Sequence, residues 1–262
     1  MRVTLILLAL YLMFLVAIWF AQRSILFPAP QQAVPLPTGY TQVQLHTSDG
    51  LSLKAAYRRA EQGKPTIIFF HGNGDNWFGA AIATEAFAAN GYGIFLPEYR
   101  GYAGNPGAPS EDGLYRDGRA ALDWLREQGI EHRNLVIVGN SIGSGVATQM
   151  ALESDPAALV LISPFASLPV LMNEKISLVP IGLLLRDRFE NETKLPEIRG
   201  PTLLLHGTGD TLIPAMHAQR LKRAHPAADL VLVQGAGHEL AYIPLTQQRI
   251  IQWLSAHLED TP

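Results

Sequence analysis

The sequence predicts an α/β protein with a doubly wound, mostly parallel sheet, an antiparallel N-terminal hairpin and a small cap insertion, preceded by one transmembrane helix. Three observations predict it. Six short apolar runs alternate with amphipathic stretches, two runs of alternating polarity come before them, and the chain opens with 19 uncharged residues from Val3 to Ala21.

The opening segment is flanked by Arg2 and Arg23. At 1.5 Å per residue a helix of this length spans ~28 Å, the thickness of the hydrocarbon core. Its Leu, Ile, Phe and Val residues alone favour insertion by roughly 4–7 kcal/mol. A secretory signal would carry a shorter apolar region and a small-residue cleavage site, which Trp19-Phe20-Ala21-Gln22-Arg23 does not offer. Residues 1–24 are therefore expected to be an uncleaved single-pass anchor, with the lipid bilayer as partner. Arg2 and the terminal amine against Arg23 tip the positive-inside balance slightly towards an extracytoplasmic domain.

Pro28, Pro30, Pro35 and Pro37 forbid a continuous helix and predict an extended connector, so the domain is expected to occupy residues 25–262. Runs 41–47 and 51–58, joined by Ser48-Asp49-Gly50, predict a hairpin at a sheet edge. Strands follow at 66–70, 92–96, 135–138, 158–162, 202–205 and 230–233, all apolar on both faces as in a sheet covered on each side. Helices are expected at 77–89, 111–128, 142–153, 214–225 and 244–258. Between 164 and 199 no strand is predicted. Insertions after the carboxyl end of such a strand lie over the ligand crevice, so this interval predicts a small cap whose run 176–185 is apolar.

With a formal charge of −3 and no basic run, the chain offers no footprint for nucleic acid. The absence of cysteine excludes disulfides, thiolate metal sites and a cysteine nucleophile. No metal or organic cofactor is implied.

The segment Gly139-Asn140-Ser141-Ile142-Gly143 is a G-x-S-x-G motif, which chance alone would place in about one chain in twelve of this composition. Its context makes it specific. A buried strand runs into Gly139 and a helix begins after Ser141, so the serine sits on a sharp turn where only small residues, here Gly139 and Gly143, fit two residues either side. A serine hydroxyl needs a base, itself held by a carboxylate. On such a sheet the order is serine, acid, histidine, which removes His46, His71 and His132; of the others, His238, in the glycine-loosened loop after the last strand, is the base. Asp210, after the preceding strand, is the acid, although an aspartate there can equally cap a turn; Asp187, in the insertion, is the alternative. The oxyanion would be met by the N–H of Ile142 and by an N–H of the loop His71-Gly72-Asn73-Gly74, from Asn73 first and Gly74 next. His71 is expected to brace that loop, and Ser110 to cap the helix that follows it in sequence.

These residues resemble the α/β-hydrolase superfamily, in particular a membrane-anchored branch related to serine-aminopeptidase-like hydrolases and to ABHD-type lipases and protein depalmitoylases. The resemblance rests on Gln22-Arg23, HGNG at 71–74, PEYRGYAGNPGAPSEDGLYRDG at 97–118, GNSIG at 139–143, PTLLLHGTGDTLIP at 201–214 and GAGH at 235–238. It implies Ser141, Asp210 and His238 as nucleophile, acid and base. Glu98 departs from the family's aspartate before Tyr-Arg-Gly, and a structural role orienting Arg100 is expected for it. The expectation is a serine hydrolase acting on a small-molecule carboxylic ester or thioester of acyl or lipid-like character. An amidase or aminopeptidase with the same triad, or a binding protein on a hydrolase fold, are the alternatives.

Overall fold

The computed structural model describes residues 2–176 and 179–258. Helix α1 (Arg2–Leu26) is long and apolar enough to cross a membrane, and its apolar stretch is unburied by the rest of the chain. It runs through the expected boundary at residues 24 and 25 and ends where Pro28 cannot donate. The proline-rich stretch after it is extended but lies on the domain. Phe27 is buried in the core, Ala103 N–H donates to the Pro30 carbonyl (2.7 Å), and Trp77 Nε1 donates to that of Pro35 (3.1 Å).

Eight strands form one sheet: β1 (Thr41–His46), β2 (Ser52–Arg58), β3 (Thr66–Phe70), β4 (Gly93–Pro97), β5 (Leu135–Asn140), β6 (Ala158–Ile162), β7 (Thr202–Gly207) and β8 (Asp229–Val233). Their order across the sheet is β1-β2-β4-β3-β5-β6-β7-β8. The pairs β1/β2 and β2/β4 are antiparallel and all others parallel, as the alternating N-terminal runs and the later apolar ones predict. The chain steps from β3 outward to β4 and then back to β5 on the other side. That reversal opens a crevice at the carboxyl ends of β3 and β5, where such sheets bind ligands.

Successive strand residues face opposite cores. Ile68, Phe70, Ile137, Leu159, Leu161 and Leu204 pack against α4 (Glu111–Glu127) and α5 (Gly143–Ser154). Ile67, Phe69, Val136, Val138, Val160 and Leu205 pack under α2 (Trp77–Ala83), α3 (Glu85–Ala89) and the C-terminal helix (Pro244–Leu258). The single helix expected over 77–89 is two. Thr84 is buried and turns its hydroxyl back onto the Ala80 carbonyl (2.8 Å), competing with the backbone ladder and bending the chain there. Ser110 accepts from Gly113 N–H (3.1 Å) and caps α4.

Among the described residues, the interval after β6 holds the short helices α6 (Leu168–Lys175), α7 (Ile181–Leu184) and α8 (Asn191–Lys194), the last running into a 3₁₀ turn at Leu195–Glu197. Of the apolar run 176–185, Ser177 and Leu178 lie outside the described residues. Next come α9 (Met216–Ala224), between β7 and β8, and α10, the C-terminal helix already bounded above.

Candidate active site

Ser141 stands between β5 and α5 in the left-handed region, at φ 54°. That conformation costs a non-glycine residue about 1–3 kcal/mol and persists only where its surroundings enforce it. The enforcement is visible. Ser141 N–H is held by the Ile162 carbonyl of β6 (3.0 Å), and the Ser141 carbonyl accepts from Ser144 N–H (2.9 Å). A Cβ on Gly143 would lie 2.0 Å from the Phe70 carbonyl oxygen, and one on Gly139 would lie 2.5 Å from the Gly143 oxygen and Ala147 Cβ. Gly145 has the same constraint, with Phe189 Cδ1 2.3 Å from where its Cβ would be. The motif glycines are the only residues that let the turn close on β3.

Asp210 and His238 come from the ends of β7 and β8, and their loops are stitched together. Thr208 N–H donates to the Val233 carbonyl (3.0 Å), Gly209 N–H to that of Ala236 (2.9 Å), and Gly235 N–H to Thr208 Oγ1 (2.8 Å). Gly207 permits this approach, since its Cβ would fall 2.2 Å from the Ala236 oxygen. Asp210 Oδ1 accepts from the N–H groups of Leu212 (2.9 Å) and Ile213 (2.8 Å), which fixes the carboxylate. Its Oδ2 lies 2.7 Å from His238 Nδ1, and His238 Nε2 lies 2.9 Å from Ser141 Oγ. With Asp210 Oδ2 accepting a hydrogen bond from Nδ1–H, Nε2 turns its lone pair to the serine hydroxyl, which donates to it. Burial disfavours charge on Asp210, but hydrogen bonding from His206, His238 and the Ile213 amide outweighs it and holds the carboxyl well below the ordinary range. The Asp210 side chain is sealed from solvent, whereas that of His238 is 26% exposed. Asp187 is remote from this chain of contacts: its carboxylate is occupied by Arg23 and by Glu111 N–H.

The loop after β3 borders the serine, because a Cβ on Gly72 would lie 3.6 Å from Ser141 Cβ. Gly74 takes φ 72°, so the loop turns where glycine costs least. Among the described residues no internal acceptor takes the N–H of Ile142 or of Asn73. The Asn73 side chain points elsewhere, donating to the Leu26 carbonyl and accepting from Tyr102 Oη (2.6 Å). Asp75 accepts from Tyr242 Oη (2.6 Å), which ties this loop to the segment after His238.

His71, fully buried, anchors the base of the loop. Its Nδ1 faces the Gly72 carbonyl and its Nε2 the Glu98 carboxylate, each at 2.9 Å. Glu98 therefore does not orient Arg100, as the sequence suggests. The parallel register of β3 and β4 ends with Ile68 beside Phe95, and three residues further along each chain Glu98 meets His71, with its second oxygen accepting from Trp77 N–H (2.9 Å) at the start of α2. Arg100 is held instead by Asp117 and Asp49. Burial opposes charge on His71, but Glu98 more than compensates and raises its pKa. A raised histidine contributes stability in full below its unfolded pKa and loses it as pH rises through the folded value. Glu98→Gln is accordingly expected to lower stability by roughly 3 kcal/mol at pH 6 and to flatten the decline of melting temperature above neutrality. Parallel pH profiles for the two proteins would contradict this.

Among the described residues no group of three His, Asp or Glu side chains is arranged to hold a metal ion. A cavity of about 810 Å³ lies at the opposite end of the strands, between Arg59, Lys64, Thr66, Gln128 and Arg133, far from Ser141.

This sheet, with a strained serine at its central crevice, defines an α/β-hydrolase architecture, and the comparisons agree. A model described as the alpha/beta hydrolase family matches residues 67–193, and one described as TAP-like protein matches residues 186–257. The chain is 36% identical over 233 residues to Rv2307c of Mycobacterium tuberculosis, covering 84% of this chain and 82% of that one. It is 30% identical to the protein bem46 of Schizosaccharomyces pombe, over 74% and 71% of the two chains. Among solved structures, the esterase Pf2001 of Pyrococcus furiosus superposes with a TM-score of 0.70 at 20% identity, covering 88% of this chain and 98% of the other. The protein belongs to the α/β-hydrolase family.

Proposed function

We propose that the protein is a membrane-anchored serine hydrolase that cleaves a carboxylic ester or thioester of acyl or lipid-like character. The observation that carries the reading is the continuous hydrogen-bond chain from Ser141 Oγ through His238 to Asp210, at 2.9 and 2.7 Å. In this mechanism Ser141 Oγ attacks the carbonyl carbon while His238 Nε2 takes its proton. The imidazolium so formed is stabilised by Asp210. The tetrahedral oxyanion is met by the N–H of Ile142 and by that of Asn73 or Gly74, each donor contributing about 3–4 kcal/mol to the transition state. Collapse passes the proton to the leaving alcohol or thiol and leaves an acyl ester on Ser141. Water, deprotonated by His238, then releases the acid.

Support for an acyl substrate comes from the apolar surface at this end of the sheet. Leu212 and Met216 are exposed beside the Asp210 turn, and Leu183 is exposed in the insertion. Helix α1 supports anchoring to a bilayer by its length and exposed apolar surface. Ester cleavage is also the activity named for the Pyrococcus furiosus neighbour.

The test is fluorophosphonate labelling of the full chain together with turnover of short-chain esters, long-chain acyl thioesters and aminoacyl anilides. Labelling that requires Ser141 and turnover of the first two classes are expected. Preferential turnover of the anilides would replace the reading with an amidase. Absence of labelling in folded protein would leave a binding protein on this scaffold.

A further inference from the structure

The end of helix α1 is latched to the domain at points that lead straight to the site. Gln22 is buried, with Oε1 accepting from Arg186 N–H (2.8 Å) and Nε2 donating to the Leu184 carbonyl (3.2 Å), so it clips the backbone of the insertion. Arg23 makes a two-pronged pair with Asp187, through Nε at 2.8 Å and Nη2 at 3.1 Å. Asp187 has a side chain 2% exposed, and its Oδ1 also accepts from the Glu111 amide at the start of α4. Two residues on, Phe189 takes φ 44° and fills the space that Gly145 leaves open behind the serine turn.

The second route is shorter. The last carbonyls of a helix have no partner within it. That of Leu26 is taken by the Asn73 side chain, in the loop whose amides would meet the oxyanion. Tyr102 Oη fixes the other end of the same amide. One helical turn thus touches both walls of the crevice: the insertion through Gln22 and Arg23, and the loop after β3 through Leu26.

We propose that Gln22 and Arg23 are positioning residues, through which the seated end of the N-terminal helix sets the oxyanion loop, so that turnover depends on that helix being docked. This rests on the serine-hydrolase reading. An oxyanion donor is worth most in the transition state, and small displacements of a catalytic group are costly there. Loss of the latch should therefore lower kcat and leave KM nearly unchanged. A merely structural role would lower the melting temperature and raise exchange throughout the domain.

The experiment uses the full chain in detergent micelles, with 4-nitrophenyl butyrate as substrate and backbone hydrogen exchange as a second readout. Gln22→Ala and Arg23→Ala are expected to lower kcat roughly tenfold to a hundredfold, with KM within about twofold and faster exchange confined to residues 71–76 and 184–189. Arg23→Lys, which keeps a cation opposite Asp187, is expected to recover most of the loss. Wild-type kcat in both alanine variants would overturn the proposal. So would a loss accompanied by faster exchange across the whole sheet. If the wild-type chain turns over no ester, the hydrolase reading fails by itself and exchange alone decides: an unaltered 71–76 loop in the alanine variants sinks the positioning role, and a loosened one upholds it.

Discussion

Ser141→Ala is expected to lower ester turnover by about 10⁴- to 10⁶-fold while leaving the fold intact. The substitution removes one oxygen from a residue already 8% exposed. It also leaves the backbone bonds to Ile162 and Ser144 in place, so the turn keeps its enforced geometry. Among the described residues the remaining hydrogen-bond partner of the His238 ring is Asp210. Residual activity would come from substrate binding and the backbone donors alone. The measurement is kcat/KM for a short-chain ester, with circular dichroism to establish folding. An alanine variant retaining a tenth of wild-type turnover would end the nucleophile assignment.

Asp210→Asn is expected to cost about 10³- to 10⁴-fold, and the reason is a tautomer. In the wild type Oδ1 is committed to the amides of Leu212 and Ile213, and Oδ2 accepts a hydrogen bond from His238 Nδ1–H. Asparagine satisfies the two amides with its oxygen and must then present its NH₂ to His238. That inverts the imidazole: Nδ1 becomes the acceptor, the proton moves to Nε2, and no lone pair faces Ser141. Because the carboxylate is held charged against burial, Asp210 itself contributes no titration to the wild-type activity profile between pH 6 and 9. Full activity in the asparagine variant would show that Asp210 only shapes its turn.

Thr66–Phe70 and Ala158–Ile162 are legible in the sequence because they carry apolar side chains on both faces, as a sheet covered on both sides requires, and β1 and β2 are legible by their alternation. The serine turn is legible because two glycines at fixed offsets answer steric demands that no other residue meets. What escapes is chemistry decided by register and by remote partners. Glu98 lies two residues from Arg100, yet the β3/β4 alignment hands it to His71. Thr84 looks like an ordinary helical residue until its hydroxyl bonds backward. The seating of Gln22 and Arg23 on the insertion, and the Tyr242–Asp75 bond, join residues more than 160 positions apart. No local pattern announces such pairs. For Phe189 the sequence signal is Gly145, a further glycine two residues after Gly143, whose missing Cβ leaves room for that ring.

The bond between Asp75 and Tyr242 bears on how the molecule is born. It joins residues separated by 167 positions, while Ser141 and His238 are separated by 97. A ribosome releases the chain from its N-terminus, and contacts of such long range form only after their distal partner has emerged. The oxyanion loop and the serine turn are therefore synthesised early but stay without their partners until nearly the whole polypeptide exists. Helix α1 precedes all of these elements in the chain. Under the proposed function, a nascent chain is lodged in a bilayer well before it is able to react with anything there.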